Sequence, residues 1–372
     1  MYKHLLLHLT LIEGIGPHVI QKIIERSDVQ TSDLYAFSYA DWMHTFGFTE
    51  NVAFKIVNGL SDKKILEQEL NLIAEHNVEW MTITDETYPA LLKEIYLPPI
   101  VLYFHAHNMS VFKSKCLAVV GARKGNEYGQ RVINSIVPDL VAAGYTIVSG
   151  GALGIDAMAH EAALKCGGKT IAVLGSGLLK PYPSANKKLF AAIVENGGIV
   201  ASSFPLTMDS FPGNFPARNR IVTGLSRGCL VVQAAQKSGA LISAHYAMEQ
   251  GREVFAVPGY VDDELSAGCH QIIQEGAKLV VSSADILQEF GDRVVLPEKA
   301  VLEQQVLFAD DFGKKYSTIQ KHILRICKNP TSIEDIVVTT QLDLDVVQSE
   351  LFNLQLDGTV EQDFTGMWVV NK

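Results

Sequence analysis

VSGGALGIDAMAH, residues 148–160, is the stretch that decides the fold. It closes a strand-like run, YTIVSGGA (145–152), and passes directly into a helical pattern. A run upstream, CLAVVGAR (116–123), also ends in glycine. α/β domains build anion sites this way. A parallel strand ends, a loop without Cβ atoms lets the backbone approach a ligand, and the next helix opens with unpaired N–H groups. Gly121, Gly150, Gly151 and Gly154 supply those loops. One such loop is explained equally well as a tight βα turn. Two of them, after adjacent strands, point to a site that captures phosphate on backbone amides. The stretch is not a familiar nucleotide motif: GGALGID has the wrong spacing for GxGxxG, and GxxxxGK[ST] occurs nowhere in the chain.

Outward from this stretch the βα alternation is regular. Strands are expected at CLAVVGA, YTIVSGG, KTIAVLGSG, GIVASSF, CLVVQAA and EVFAVPG. Helices are expected at about 128–143, 156–166, 187–196, after Arg220, and at about 240–250. Near-continuous apolar strands bounded by glycine imply an α/β fold, a doubly wound parallel sheet with helices on both faces. Ligands of such sheets bind beyond the strand C-terminal ends.

Basic residues gather at those ends. Arg123 follows Gly121 closely, Lys180, Lys187 and Lys188 lie in GLLKPYPSANKKLF, and Arg218 and Arg220 lie in FPARNRI. Paired lysines are ordinarily a solvated surface. That explains FPARNR poorly, because the segment is wedged between apolar and proline-rich sequence, and guanidinium groups suit bidentate phosphate contacts. Tyr182, Phe190 and Phe215 interleave with the cations as base-stacking surfaces, although each taken singly also suits a core. Asp156 and His160 share a helix face at i and i+4, the geometry of an acid–base pair. The reading adopted is structural: Asp156 is favoured in a first helical turn, and His160 packs beneath the loop. No serine, cysteine or second carboxylate completes a catalytic set, and Ser149, Ser202, Ser203 and Ser243 lie in no GxSxG elbow.

The flanks differ in character. Residues 1–75 are helical in pattern, and LIEGIGPHVIQKII (11–24) resembles a helix-hairpin-helix turn, with Pro17 suited to a first helical turn. With only Lys22 and Arg26 nearby, interaction or packing is favoured over DNA binding. Residues 78–108 read as short strands and turns that complete the central sheet, with Pro98 and Pro99 before an edge strand. A linker precedes residues 316–370, which read as three helices and a hairpin, the pattern of a winged helix. A DNA-reading third helix would enter the major groove. Here that helix, at about 343–356, has no Lys or Arg and holds Asp343, Asp345 and Glu350, so a protein contact or a structural role is expected.

The chain has 372 residues, 48% of them hydrophobic, enough for two or three domains. The net charge of −10 is uneven: residues 117–281 hold 14 Lys+Arg against 12 Asp+Glu, so the acid lies in the flanks and any polyanion site is local to the centre. The five cysteines form no CxxC pair, and His105 and His107 have no carboxylate or cysteine cluster beside them, so neither a disulfide framework nor a metal site is expected. The absence of a long apolar run and of a signal-peptide cleavage pattern argues for a cytoplasmic protein without a membrane span.

In order, VGAR, SGGALGIDAMAHEAAL, KTIAVLGSGLLKPYPSANKKL, FPARNRIVTGLS, SGALISAHYAMEQGREVFAVPG and GCHQIIQEGAKLV closely resemble the DNA-processing family called DprA or Smf. The resemblance implies an extended Rossmann-like domain over residues 76–290. Before it would lie a helical domain of the SAM or helix-hairpin-helix kind (1–75), and after it a linker (291–312) and a winged-helix domain (313–372). It also implies a non-enzymatic, homodimeric protein, without a cofactor, that binds single-stranded DNA and loads a RecA-type recombinase during natural transformation, with single-strand-binding protein as a further partner. By position, Gly121 and Arg123 match the family's phosphate-binding loop, and Lys188, beside Lys187, matches a basic residue of the DNA pocket. Arg218 and Arg220 match the FPxRNR motif, and Ser149, Gly150 and Gly151 match the pocket floor. Ser203 and Gln233 stand where glutamates are expected, Ser243 where threonine is, and His270 where asparagine is. The rival reading is a phosphoribohydrolase acting on nucleoside monophosphates. Its PGGxGTxxE motif needs a threonine and a glutamate that SGGALGIDAMA lacks. A third reading, an adaptor whose acidic flanks contact proteins, is compatible with the first.

Overall fold

The computed structural model describes residues 2–26, 34–292, 316–328, 330–340, 342–363 and 366–370. The chain divides into two compact units, Met1–Leu296 and Pro297–Lys372. The expected linker falls almost entirely outside the described residues.

The first unit opens with helices α1 (Tyr2–Leu11), α2 (Pro17–Glu25), α3 (Tyr39–Phe46), α4 (Glu50–Ser61) and α5 (Lys63–Glu75). Gly16 caps α2 and Pro17 begins it, where a missing N–H costs nothing. An antiparallel pair follows, β1 (Glu79–Thr82) and β2 (Val101–Ala106), with the short α6 (Ala90–Lys93) between them. The βα alternation then runs β3 (Lys115–Val120), α7 (Glu127–Ala142), β4 (Tyr145–Ser149), α8 (Ile155–Lys165), β5 (Thr170–Val173), α9 (Lys187–Glu195) and β6 (Ile199–Ser202). It continues with α10 (Asn214–Gly224), β7 (Gly228–Val231), α11 (Gly239–Glu249), β8 (Glu253–Ala256), α12 (Glu264–Gln274), β9 (Lys278–Leu279) and α13 (Ser283–Glu289).

Among the described residues these strands form one sheet in the order β1-β2-β6-β5-β4-β3-β7-β8-β9. From β6 to β9 every pairing is parallel, whereas β2 joins β6 antiparallel. β2 is therefore an inner strand and β1 is the edge, unlike the edge strand expected after Pro98 and Pro99. Both prolines precede Val101, so their missing donors fall outside the ladder. The strand order reverses at β3, and the crevice between β3 and β7 is the switch point where doubly wound sheets hold ligands.

The sheet is buried on both faces, and its period of two sorts the core. Leu117, Val119, Ile147, Leu230 and Phe255 join an apolar cluster with α7, α8 and α13. Ala118, Val120, Val148, Val231 and Ala256 join the opposite cluster, which also takes in α9 to α12 and reaches Leu5, Leu9, Ile20, Trp42 and Ile56 of the leading helices.

FPARNR departs from expectation. The helix begins at Asn214, ahead of both arginines rather than after Arg220, because Pro216 sits in its first turn, where proline is tolerated.

The second unit holds α14 (Thr318–Ile326), α15 (Ile333–Thr340), α16 (Leu344–Leu356) and a hairpin, β10 (Val360–Gln362) with β11 (Trp368–Val370). Its own core contains Ile323, Leu324, Ile336, Val347, Leu351 and Leu354.

Candidate functional site

The loops that leave β3, β4 and β5 and the first turns of α10 and α11 enclose a cleft of about 710 Å³. Its walls include Gly121, Arg123, Tyr182, Phe215, Arg218 and Ser238. It lies at the strand C-terminal ends, beside the switch point.

Arg218 is the charge at its base. It is 5% exposed, and its Nε has no hydrogen-bond partner. Its guanidinium lies against Gly150, where any Cβ would overlap Nη1. Glycine at 150 is thus the space the arginine occupies. Burial pulls the guanidinium down to about 10, with Asp156 acting in the opposite direction, so Arg218 remains charged at neutral pH. A buried charge is costly, and an anion entering the cleft would offset it.

Asp156 has a different task from acid–base chemistry. Its Oδ2 accepts from the backbone N–H of Gly150 (3.2 Å) and of Ala152 (3.3 Å). Burial raises its pKa, with the Arg218 charge opposing that shift. Two amides of the glycine loop, expected to be open to phosphate, are thus turned inward to a carboxylate. His160 is fully buried, and its Nδ1 lies 2.6 Å from Thr170 Oγ1. Burial first and Arg218 second push it down to about 3, so it is a neutral core residue.

The other residues singled out in the sequence divide between cleft and scaffold. Arg123 is exposed on the rim, its Cζ 5.1 Å from the Phe215 ring, and Phe215 in turn lies 5.8 Å from Tyr182. Two aromatics and a guanidinium therefore share one wall, a surface on which a base can stack. Gly121 lines the cleft, but its lack of a side chain also serves Ile155, which a Cβ would approach within 2.7 Å. Gly151 adopts φ +65°, and a Cβ there would meet the Phe190 ring at 2.7 Å. Phe190 is accordingly core and not a stacking platform.

Ser149, Lys187, Lys188 and Arg220 do not line the cleft. Ser149 is buried and donates its hydroxyl to the Val119 carbonyl at 2.6 Å. Lys187 and Lys188 open α9 in solvent. Arg220 turns to the far side of α10 and donates Nη1 to the carbonyls of Tyr96 (3.2 Å) and Leu97. Successive helical residues turn by about 100°, so residues two apart diverge by about 200°, which separates Arg220 from Arg218. Lys180 is on the surface, 3.6 Å from Asp209.

Several contributors went unassigned in the sequence. Ser238 caps α11 by accepting from Ala240 N–H at 3.2 Å, and both residues line the cleft with Asn219 and Ser243. A serine directly before a helical run was the available signal. Asn186 is buried and donates to the Gly151 (2.9 Å) and Ala152 (3.2 Å) carbonyls, so it holds the glycine loop from below. Gln233 does the same for the β3 loop: its Nε2 donates to Asn126 Oδ1 at 2.9 Å, and its Oε1 accepts from Asn126 N–H at 3.2 Å. An amide both donates and accepts there, which a carboxylate cannot do. Among the described residues no cluster of three or more His, Cys, Asp or Glu could hold a metal ion, and no helix is long and apolar enough to cross a membrane.

A doubly wound sheet whose switch-point cleft is built from a buried arginine, a rim arginine and paired aromatics defines a Rossmann-like protein with an arginine-lined cleft outside the nucleotide motifs. The chain belongs to the DNA recombination-mediator protein A family, whose model matches residues 79–291. Protein Smf of Synechocystis is 34% identical over 95% of this chain and 94% of its own length. DNA processing protein DprA of Streptococcus pneumoniae is 46% identical over 56% of this chain and 73% of its own. The X-ray structure of the S. pneumoniae protein superposes with a TM-score of 0.67 at 37% identity, covering 77% of this chain and 97% of that one. The Helicobacter pylori protein, described for its single-stranded DNA binding mode, gives a TM-score of 0.52 at 28% identity, over 57% of this chain and 95% of that one.

Proposed function

We propose that the cleft binds single-stranded DNA, with a backbone phosphate on Arg218, a neighbouring phosphate on Arg123 and a base against Phe215 and Tyr182. The observation that carries this reading is the buried Arg218 guanidinium among the residues that line the cleft, with no hydrogen-bond partner on its Nε. The single-strand binding named for the H. pylori relative supports it. So does the wall that holds Tyr182 and Phe215, ring faces on which unpaired bases can stack. The protein acts by binding, without turnover. Asp156, a carboxylate that lines the cleft, is committed to the loop amides, which leaves it unavailable as a base.

In the fuller reading the protein works as a homodimer through its central domain and passes the strand to a RecA-type recombinase against competition from single-strand-binding protein. The 1–75 helices act as a SAM or helix-hairpin-helix-like module and 313–372 as a winged helix. Lys187 and Lys188 act as a secondary basic track outside the cleft.

The test is fluorescence anisotropy of labelled oligo-dT across a salt series, with a duplex of equal length as control. Two direct phosphate contacts give a log–log slope of at least roughly −1.4, at about −0.7 per contact on single strands. Preference for the single strand with that slope supports the reading, and absence of binding at low salt removes it. Recombinase loading is read separately, by whether the protein speeds filament assembly on oligo-dT already coated with single-strand-binding protein.

A further inference from the structure

The second unit carries a surface that strand binding does not use. On α16 the core line is Val347, Leu351 and Leu354, each fully buried. At about 100° per residue the opposite pole of the helix is Asp345, Ser349, Phe352 and Leu356. A helix packed on one side normally has polar residues there. Instead Phe352 is 59% exposed and Leu356 is 71% exposed, adjacent at i and i+4. Val338, at the end of α15, is 76% exposed.

The charge along this part of the chain is of one sign. Residues 330–371 contain eight Asp and Glu and no Lys or Arg, whereas residues 318–328 carry Lys321, Arg325 and Lys328. Among the described residues of this unit, every large exposed apolar side chain falls in the acidic part. An acidic surface repels a polyanion, so the outward face of α16 is a poor nucleic-acid reader. The same acid attracts and orients a cationic polypeptide, and exposed Phe and Leu at helical spacing are anchors for an apolar ridge.

We propose that the outward face of α16 docks a helical segment of a partner protein, one with an apolar ridge flanked by lysines and arginines. Phe352 and Leu356 anchor the ridge, and Asp345 with the neighbouring acids pairs with the flanking cations. The inference stands on the second unit alone and does not depend on the strand-binding cleft.

The test uses the full-length protein and a fluorescein-labelled amphipathic helical peptide with leucines along one stripe and lysines elsewhere. The same peptide with glutamates in place of lysines is the control. The lysine peptide is expected to bind and the glutamate peptide not. In the double variant Phe352→Ser, Leu356→Ser, affinity for the lysine peptide is expected to fall at least about tenfold. Oligo-dT binding and circular dichroism should be unchanged in that variant, because both side chains are largely exposed. Equal peptide affinity in the double variant, or no binding by the wild type below about 1 mM, overturns the proposal. Two further outcomes overturn it by naming another occupant. Self-association in sedimentation that the double variant abolishes would assign the face to a second copy. Peptide binding that emerges only after deletion of residues 297–315 would assign it to the chain itself.

Discussion

The two sides of α10 receive the same chemical group and treat it in opposite ways. On the cleft side, Arg218 is buried against Gly150 with Nε unpartnered. On the far side, Arg220 is hooked to the carbonyls of Tyr96 and Leu97, the latter at a positive φ of 50°. Hydrogen bonding separates the two roles more clearly than burial does. A guanidinium whose donors are spent on backbone carbonyls holds the fold together. One kept buried with a donor idle costs stability and is explained by a ligand.

The largest effect expected from this contrast is a crossed pair of substitutions. Arg218→Ala should weaken oligo-dT binding by the folded protein about 30- to 100-fold, on the order of 2–3 kcal/mol for a charge-assisted contact. Arg220→Ala should lower unfolding stability by about 1–3 kcal/mol through the freed carbonyls while leaving the affinity of the folded protein within about twofold. Equal losses of binding in both variants, at unchanged urea midpoints, would erase the distinction between the two sides.

Gly150→Ala sharpens the same contrast without altering charge. The new methyl occupies the place of Nη1, so Arg218 must leave its seat, and binding should fall about tenfold if phosphate placement depends on that seat. Wild-type affinity in a folded Gly150→Ala protein would show that Arg218 binds from another position.

Below the cleft, His160 tests whether the floor is as dry as its burial implies. Its folded pKa of about 3 lies under the ordinary value of 6.5, so the neutral form belongs to the fold. The stability this contributes is complete above pH 6.5 and is lost as pH falls from there toward about 3. Urea unfolding should therefore give a wild-type stability that declines below pH 6.5 faster than that of His160→Gln, by at most about 1.4 kcal/mol per pH unit. Parallel profiles would mean that His160 meets solvent when it is folded.

The smallest effects belong to the rim. Arg123→Ala should cost about five- to tenfold and reduce the magnitude of the salt slope by about 0.7, as one lost phosphate contact requires. Lys187→Ala with Lys188→Ala should cost about threefold or less and only at low salt, because both are solvated and outside the cleft. A larger loss from the lysines than from Arg123 would move the main contact out of the cleft and onto α9.

The parallel sheet was legible because strands buried on both faces must be nearly continuous apolar runs, and CLAVVGA, YTIVSGG and CLVVQAA are. The position of the cleft followed from topology, since the ends of β3 and β4 fall at a switch point whatever their side chains. Arg218 was legible as a residue type in an unusual setting. The roles of Asn186 and Gln233 were not, because each acts through a backbone more than thirty residues away in sequence. The glycine loop misled for a related reason. Two of its amides, those of Gly150 and Ala152, are taken by a carboxylate six residues on from Gly150.

Sequence period alone therefore decided which segments become strands and most helices, and which of their residues enter the core. Those are local properties, set by side-chain size, polarity and spacing of two or 3.6. Tertiary structure decided which cation faces the cleft, which amides remain for a ligand, and which glycine is empty space for an arginine. Each of these depends on where a helix begins or on a partner from a distant strand. A shift of helix start from after Arg220 to Asn214 was enough to send two neighbouring arginines to opposite sides of α10.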